Sequence, residues 1–105
     1  MELYYIYILS NRSKNIYVGV TNNIYNVIME HKGFVESRNG SAGRKGAFSK
    51  LVYYEKKSTY RSALKRCRQI EGWGRTQRIS LIESVNPDWL DVSSIWLTDN
   101  MNIFL

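Results

Sequence analysis

From Leu3 to Leu9 the chain is an almost unbroken run of leucine, tyrosine and isoleucine, short and β-prone enough to read as a buried strand. Ser10 to Asn15 is turn chemistry, and Ile16 to Val20 is a second β-branched and aromatic run. The two predict a hairpin with a long loop. Thr21 or Asn22 can cap a helix, in which Ile24, Val27, Ile28 and His31 fall on one face and Gly33 is the stop. Residues 36–46 hold Gly40, Gly43 and Gly46 among serine and arginine, a flexible loop whose Arg38, Arg44 and Lys45 can follow a phosphate backbone.

Lys50 to Glu55 reads as a third strand. Ser58 or Thr59 can cap a second helix with the stripe Ala63, Cys67 and Ile70, Leu64 beside it, and Gly72 ending or bending it. Arg75 to Val85, with Ile79, Leu81 and Ile82, predicts a shorter third helix. Asn86-Pro87 closes it, because the residue before proline is biased out of the helix. Asp88 to Leu97 is less patterned, and the apolar Met101 to Leu105 either docks on the core or frays. There is no internal repeat or linker. The expected fold is α+β: a small, mostly antiparallel three-stranded sheet flanked by helices, with residues 1–105 as one domain.

Composition narrows the class. A content of 44% apolar and 23% charged residues is that of a globular protein. One cysteine allows no intrachain disulfide. No segment has the order of a signal peptide or the length of a membrane span, so the expected setting is cytoplasmic. The net charge of +6 changes the picture more. Lys56, Lys57, Arg61, Lys65, Arg66, Arg68, Arg75 and Arg78 lie close together with Glu71 as the one acid among them. So lopsided a stretch repels itself unless an anion is near, and nucleic acid is the commonest such partner. A solvated basic face is the alternative.

The candidate chemistry lies in short segments taken in order: Tyr5-Ile6-Tyr7-Ile8-Leu9, then Ile16-Tyr17-Val18-Gly19-Val20-Thr21-Asn22, Glu30-His31-Lys32, Leu51-Val52-Tyr53-Tyr54-Glu55, Gln69-Ile70-Glu71-Gly72-Trp73 and Leu81 to Trp89. This succession resembles the GIY-YIG nuclease domain, in its small single-domain branch, from Tyr4 to about Trp89. The resemblance implies hydrolysis of a DNA phosphodiester. It implies that Tyr7 or Tyr17 activates or positions the attacking water, with His31 beside them. It also implies an arginine on the first helix that stabilises charge on the phosphate, a glutamate on the second helix that holds Mg²⁺ or a similar divalent ion, and an asparagine, Asn86, that supports that metal site. A hard cation takes oxygen ligands and acts as Lewis acid and template. A guanidinium is a permanent, bidentate phosphate clamp.

Both charged positions depart from the pattern. The arginine belongs one turn before His31, where this chain has Val27, and the glutamate belongs where it has Cys67. Valine donates no hydrogen bond. A thiol is a soft ligand that discriminates against Mg²⁺, although the flanking Arg66 and Arg68 are expected to lower its pKa and favour thiolate. Two readings follow: a degenerate nuclease fold that binds nucleic acid through Arg61, Lys65, Arg66, Arg68, Arg44 and Lys45 and cuts poorly or not at all, or a working endonuclease in which Glu71, Glu30 or Arg66 has taken over. A protein-interaction module that kept only the fold is the third. Each retained residue also has a plain structural reading: Tyr7 and Tyr17 as strand aromatics, His31 as a helix-end cation, Asn86 as a helix terminator and Cys67 as a small buried hydrophobe.

Overall fold

A computed structural model of the chain describes residues 3–31, 48 and 50–94. The expected loop cations Arg38, Arg44 and Lys45, the helix stop at Gly33 and the segment 101–105 lie outside the described residues. The elements are β1 (Tyr4–Ser10), β2 (Ile16–Thr21), α1 (Ile24–His31), β3 (Lys50–Lys57), α2 (Tyr60–Glu71) and α3 (Arg75–Val85). They form an α+β fold around one antiparallel sheet in the order β2-β1-β3. No helix among the described residues is long and apolar enough to cross a membrane.

The β1–β2 connection is organised by one side chain. Asn11 Oδ1 accepts from the amides of Ser13 and Asn15 at 3.0 and 2.9 Å, so the asparagine replaces backbone pairing that a tight turn would supply. Lys14 takes a positive φ of 61° there. The loop is then tied to the far end of the chain. Arg75 donates to the Lys14 carbonyl at 2.9 Å, and the Lys14 ammonium sits 5.1 Å over the Trp89 ring.

Strand alternation splits the core in two. On one face of the sheet Tyr7, Leu9 and Leu51 pack with Ile24, Val27 and Ile28 of α1. On the other, Ile6, Ile8, Val52 and Tyr53 pack with Ala63, Cys67 and Ile70 of α2 and Ile82 of α3. Val52 and Tyr53 are neighbours yet share a face, which strict alternation forbids. A register shift between Ile8 and Leu9 in the β1–β3 pairing produces this.

The caps differ in detail from expectation. α1 is capped by Asn23, not Thr21 or Asn22: Asn23 Oδ1 accepts from the Asn26 amide at 3.0 Å, while Thr21 Oγ1 instead braces the Asn23 amide. Thr59 caps α2 by accepting from the Ser62 amide at 3.1 Å. Gly72 closes it with right-handed dihedrals, φ −77°, so the helix ends there without needing glycine's special conformation. β3 runs two residues beyond Glu55, to Lys57. Its free edge is covered where Val92 donates to the Leu51 carbonyl and Asp91 accepts from the Leu51 amide, a standard protection against edge pairing.

Candidate active site

Tyr7 stands opposite Gly19 on β2, and its ring lies across that glycine. A Cβ on Gly19 would come within 2.5 Å of the Tyr7 Cζ and hydroxyl oxygen. Glycine is therefore required here by space, and the Tyr7 hydroxyl comes to rest over β2 rather than over its own strand. Tyr17, opposite Leu9 in the same register, shares that face. The two tyrosine rings are 6.2 Å apart, and Phe48 stands 6.1 Å beyond Tyr17. Their exposures differ sharply: Tyr7 is 7% accessible and Tyr17 is 47%. One hydroxyl is buried and the other meets solvent.

Burial, hydrogen bonding with Tyr17 and the negative potential of Glu30 together hold the Tyr7 phenol well above its ordinary pKa. It is a neutral hydroxyl at every physiological pH. Among the described residues no cation is a cause that opposes this. Val27, where the sequence resemblance leads one to expect an arginine, is buried in the same apolar cluster as the Tyr7 ring. Glu30, one turn on, receives a hydrogen bond from the Asn26 amide nitrogen at 3.3 Å. His31 closes α1 half-buried, in the last turn of the helix.

Cys67 enters from the other face, packed among the core residues under α2, a helix that contacts both β1 and β2. Its charge would still be felt at the Tyr7 hydroxyl. The expected thiolate does not form. Burial, with the carboxylate of Glu71 next, pushes the thiol up to about 11, and Arg68 offsets this only in part. The second flanking arginine gives no help because Arg66 is paired elsewhere. Cys67 Sγ donates to Glu71 Oε1 at 3.6 Å.

Arg66 itself, expected on the nucleic-acid face, grips Glu55 on β3 at 2.9–3.1 Å, reaches Gln69 at 2.7 Å and stacks over Trp73 at 5.2 Å. The Tyr53 hydroxyl donates to the same carboxylate. Burial alone would raise the Glu55 pKa, but the bonds from Arg66 and Tyr53 overcome it and hold it below its ordinary value. Arg78 donates to the carbonyls of Trp73 and Glu71, closing the end of α2. The basic stretch thus divides. Arg66, Arg75 and Arg78 serve the fold, while Arg61, Lys65 and Arg68 stand exposed with no carboxylate in ion-pair reach among the described residues.

Asn86, which caps the end of α3, is 6% accessible and engaged with backbone. Its Nδ2 donates to the carbonyls of Val52 and Leu90 at 3.0 and 2.9 Å, and its Oδ1 accepts from the Leu90 amide at 3.0 Å. It locks the end of α3 to β3. Glu55, Tyr53 and Trp73 around Arg66 were not legible as a unit in the sequence, because i to i+11 pairing between strand and helix has no periodic signature.

The comparisons agree with this architecture. The model of the GIY-YIG catalytic domain matches residues 3–80, so the chain belongs to that family of nuclease-type domains. In solved structures, the chain is similar to the UPF0213 protein BH0048 from Bacillus halodurans, seen by solution NMR: TM-score 0.54, 20% identity, covering 87% of this chain and 94% of the other. That likeness shows the fold. No curated protein matches the chain. GIY-YIG nucleases are generally dependent on a divalent metal. The donors present here do not fit one. Cys67 is a protonated, buried thiol, and among the described residues no three His, Cys, Asp or Glu side chains converge to hold an ion.

Proposed function

We propose that this chain is a cytoplasmic nucleic-acid-binding protein, with DNA as its partner, built on a nuclease fold that cleaves weakly or not at all. The observation that supports it is a pair of substitutions, Val27 packed with Tyr7 on the α1 face of the sheet and Cys67 in the core on the α2 face. An apolar side chain is packed where a phosphate clamp belongs, and a neutral thiol stands where a hard oxygen ligand belongs. Losing one comparable charge-stabilising group costs roughly two to five powers of ten in rate. What remains is suited to binding: an exposed Tyr17, a neutral Tyr7 hydroxyl and three exposed cations on α2 without an acidic partner among the described residues.

The test is nicking of supercoiled plasmid in Mg²⁺ by the purified protein, with EDTA and Tyr17→Phe as controls. Little or no nicking is expected. Val27→Arg combined with Cys67→Glu is expected to raise cleavage well above either single change, because both groups act on one phosphate and their effects are not additive. Robust, EDTA-sensitive nicking by the unmodified chain, abolished by Tyr17→Phe, overturns this reading. One observation favours that second outcome: the Glu71 carboxylate already lies against Cys67, so Glu71→Gln is the next variant to make.

A further inference from the structure

Tyr60, the first residue of α2, is an aromatic ring with little reason to be where it is. It is 54% accessible, and its ring neighbour among the described residues is Tyr4 of β1, 5.8 Å away with the planes tilted by 59°. Tyr4 belongs to the sheet face that α2 covers, so it supports Tyr60 from one side and leaves the rest of the ring to solvent. Leu64 and Arg68 follow Tyr60 at four-residue intervals, and Arg61 and Lys65 follow it at one and five. These positions share one side of the helix over eight residues, about 12 Å. They line a single shallow hollow. Thr21, at the end of β2, and Asn22 after it line a second hollow together with Tyr4 and Tyr60.

We infer that Tyr60 and Tyr4, with Arg61, Lys65 and Arg68, form a subsite that stacks an unpaired base on Tyr60 and holds the adjoining phosphates on the three cations. Two features direct this to single-stranded nucleic acid rather than to a duplex. A projecting aromatic face gains nothing from a phosphate backbone, whereas every base offers it a π-surface, independent of sequence. The cations beside it have no acidic partner among the described residues, so a polyanion compensates them by releasing its counterions. An acidic protein would satisfy the cations as well but would leave the ring unused. The subsite lies on the α2 face of the sheet, whereas Tyr7 and Tyr17 lie on the α1 face. It rests on the nucleic-acid reading above and names the class of strand that site takes.

The experiment compares binding of a fluorescent 20-nucleotide thymidine strand and a blunt 20-base-pair duplex at 50 mM salt, for the full chain and for Tyr60→Ala and Tyr60→Phe. Thermal melts confirm folding of each variant. The expected result is tighter binding of the single strand, a loss of roughly ten-fold in its affinity with Tyr60→Ala, little change with Tyr60→Phe and little change for the duplex with either. Equal loss on both nucleic acids, or no loss on the single strand, overturns the stacking subsite while leaving nucleic-acid binding intact. Failure of the unmodified chain to bind either one overturns both.

Discussion

At the scale of single residues, the contact between Tyr7 and Gly19 decides where the buried hydroxyl lies. Adding one methyl group at Gly19 places a carbon 2.5 Å from the ring, and a sheet residue has no room to retreat. Gly19→Ala is therefore expected to destabilise the protein by about 1–3 kcal/mol, the usual range for overpacking. In a Tyr7→Ala background the same change should cost distinctly less, since the clash is gone; a double-mutant cycle by urea unfolding measures the difference. Cys67 makes a second residue-scale prediction, through pH. Its thiol titrates near 9 when unfolded and about 11 when folded, so the folded state favours the protonated form. The sign follows from linkage: this contribution is fully present below pH 9 and is lost as pH rises through about 11. The loss is on the order of 2–3 kcal/mol. Unfolding of Cys67→Ala should show a correspondingly shallower decline between those pH values, and an equal decline would show that the thiol is not the group responsible.

At the scale of elements, the helices are held to the sheet by polar locks as well as by apolar stripes. α3 illustrates the need, because Ile82 is the one residue on it that is fully buried. A helix with so narrow a buried stripe gains little from the hydrophobic effect alone. Asn86 supplies the rest by three bonds to the backbone of Val52 and Leu90. Removing it takes this partner from the buried Val52 carbonyl and from the part-buried Leu90 groups, which costs about 1–3 kcal/mol for each one not rescued by water. Asn86→Ala should thus lower the melting temperature by several degrees or more, and Asn86→Asp, which cannot donate from the lost amide, should recover little of it.

At the scale of the whole molecule, the net charge of +6 is spread unevenly in its consequences. Arg66, Arg75 and Arg78 are spent on Glu55 and on backbone carbonyls. The exposed Arg61, Lys65 and Arg68 set the field that a polyanion meets. Raising salt from 50 to 200 mM should weaken DNA affinity by at least ten-fold, as counterion release requires for even a few phosphate contacts. Replacing those three residues by glutamine should flatten the slope of affinity against salt in a filter-binding or anisotropy titration. Glutamine at Arg66 should mainly destabilise the fold, because it leaves Glu55 in a half-buried place without its cation.

What the sequence by itself determined was the set of elements, their order and the family. Each rests on local signals: β-branched and aromatic runs, 3.6-residue stripes such as Ala63, Cys67 and Ile70, and turn chemistry at Asn11 and Asn86. Cap identity was determined less well, since Thr21, Asn22 and Asn23 compete within one turn and only the path of the chain selects Asn23. The tertiary structure alone decided what charge and burial do at the site. Proximity in sequence made Arg66 and Arg68 neighbours of Cys67, but a helix turns them to different sides, and burial and Glu71 govern the thiol instead. Likewise Val52 and Tyr53 share a face through a register shift that no periodicity records. Local pattern specifies the fold because backbone geometry is local; pKa, pairing and exposure arise from groups far apart in sequence, and so they exist only once the chain has folded.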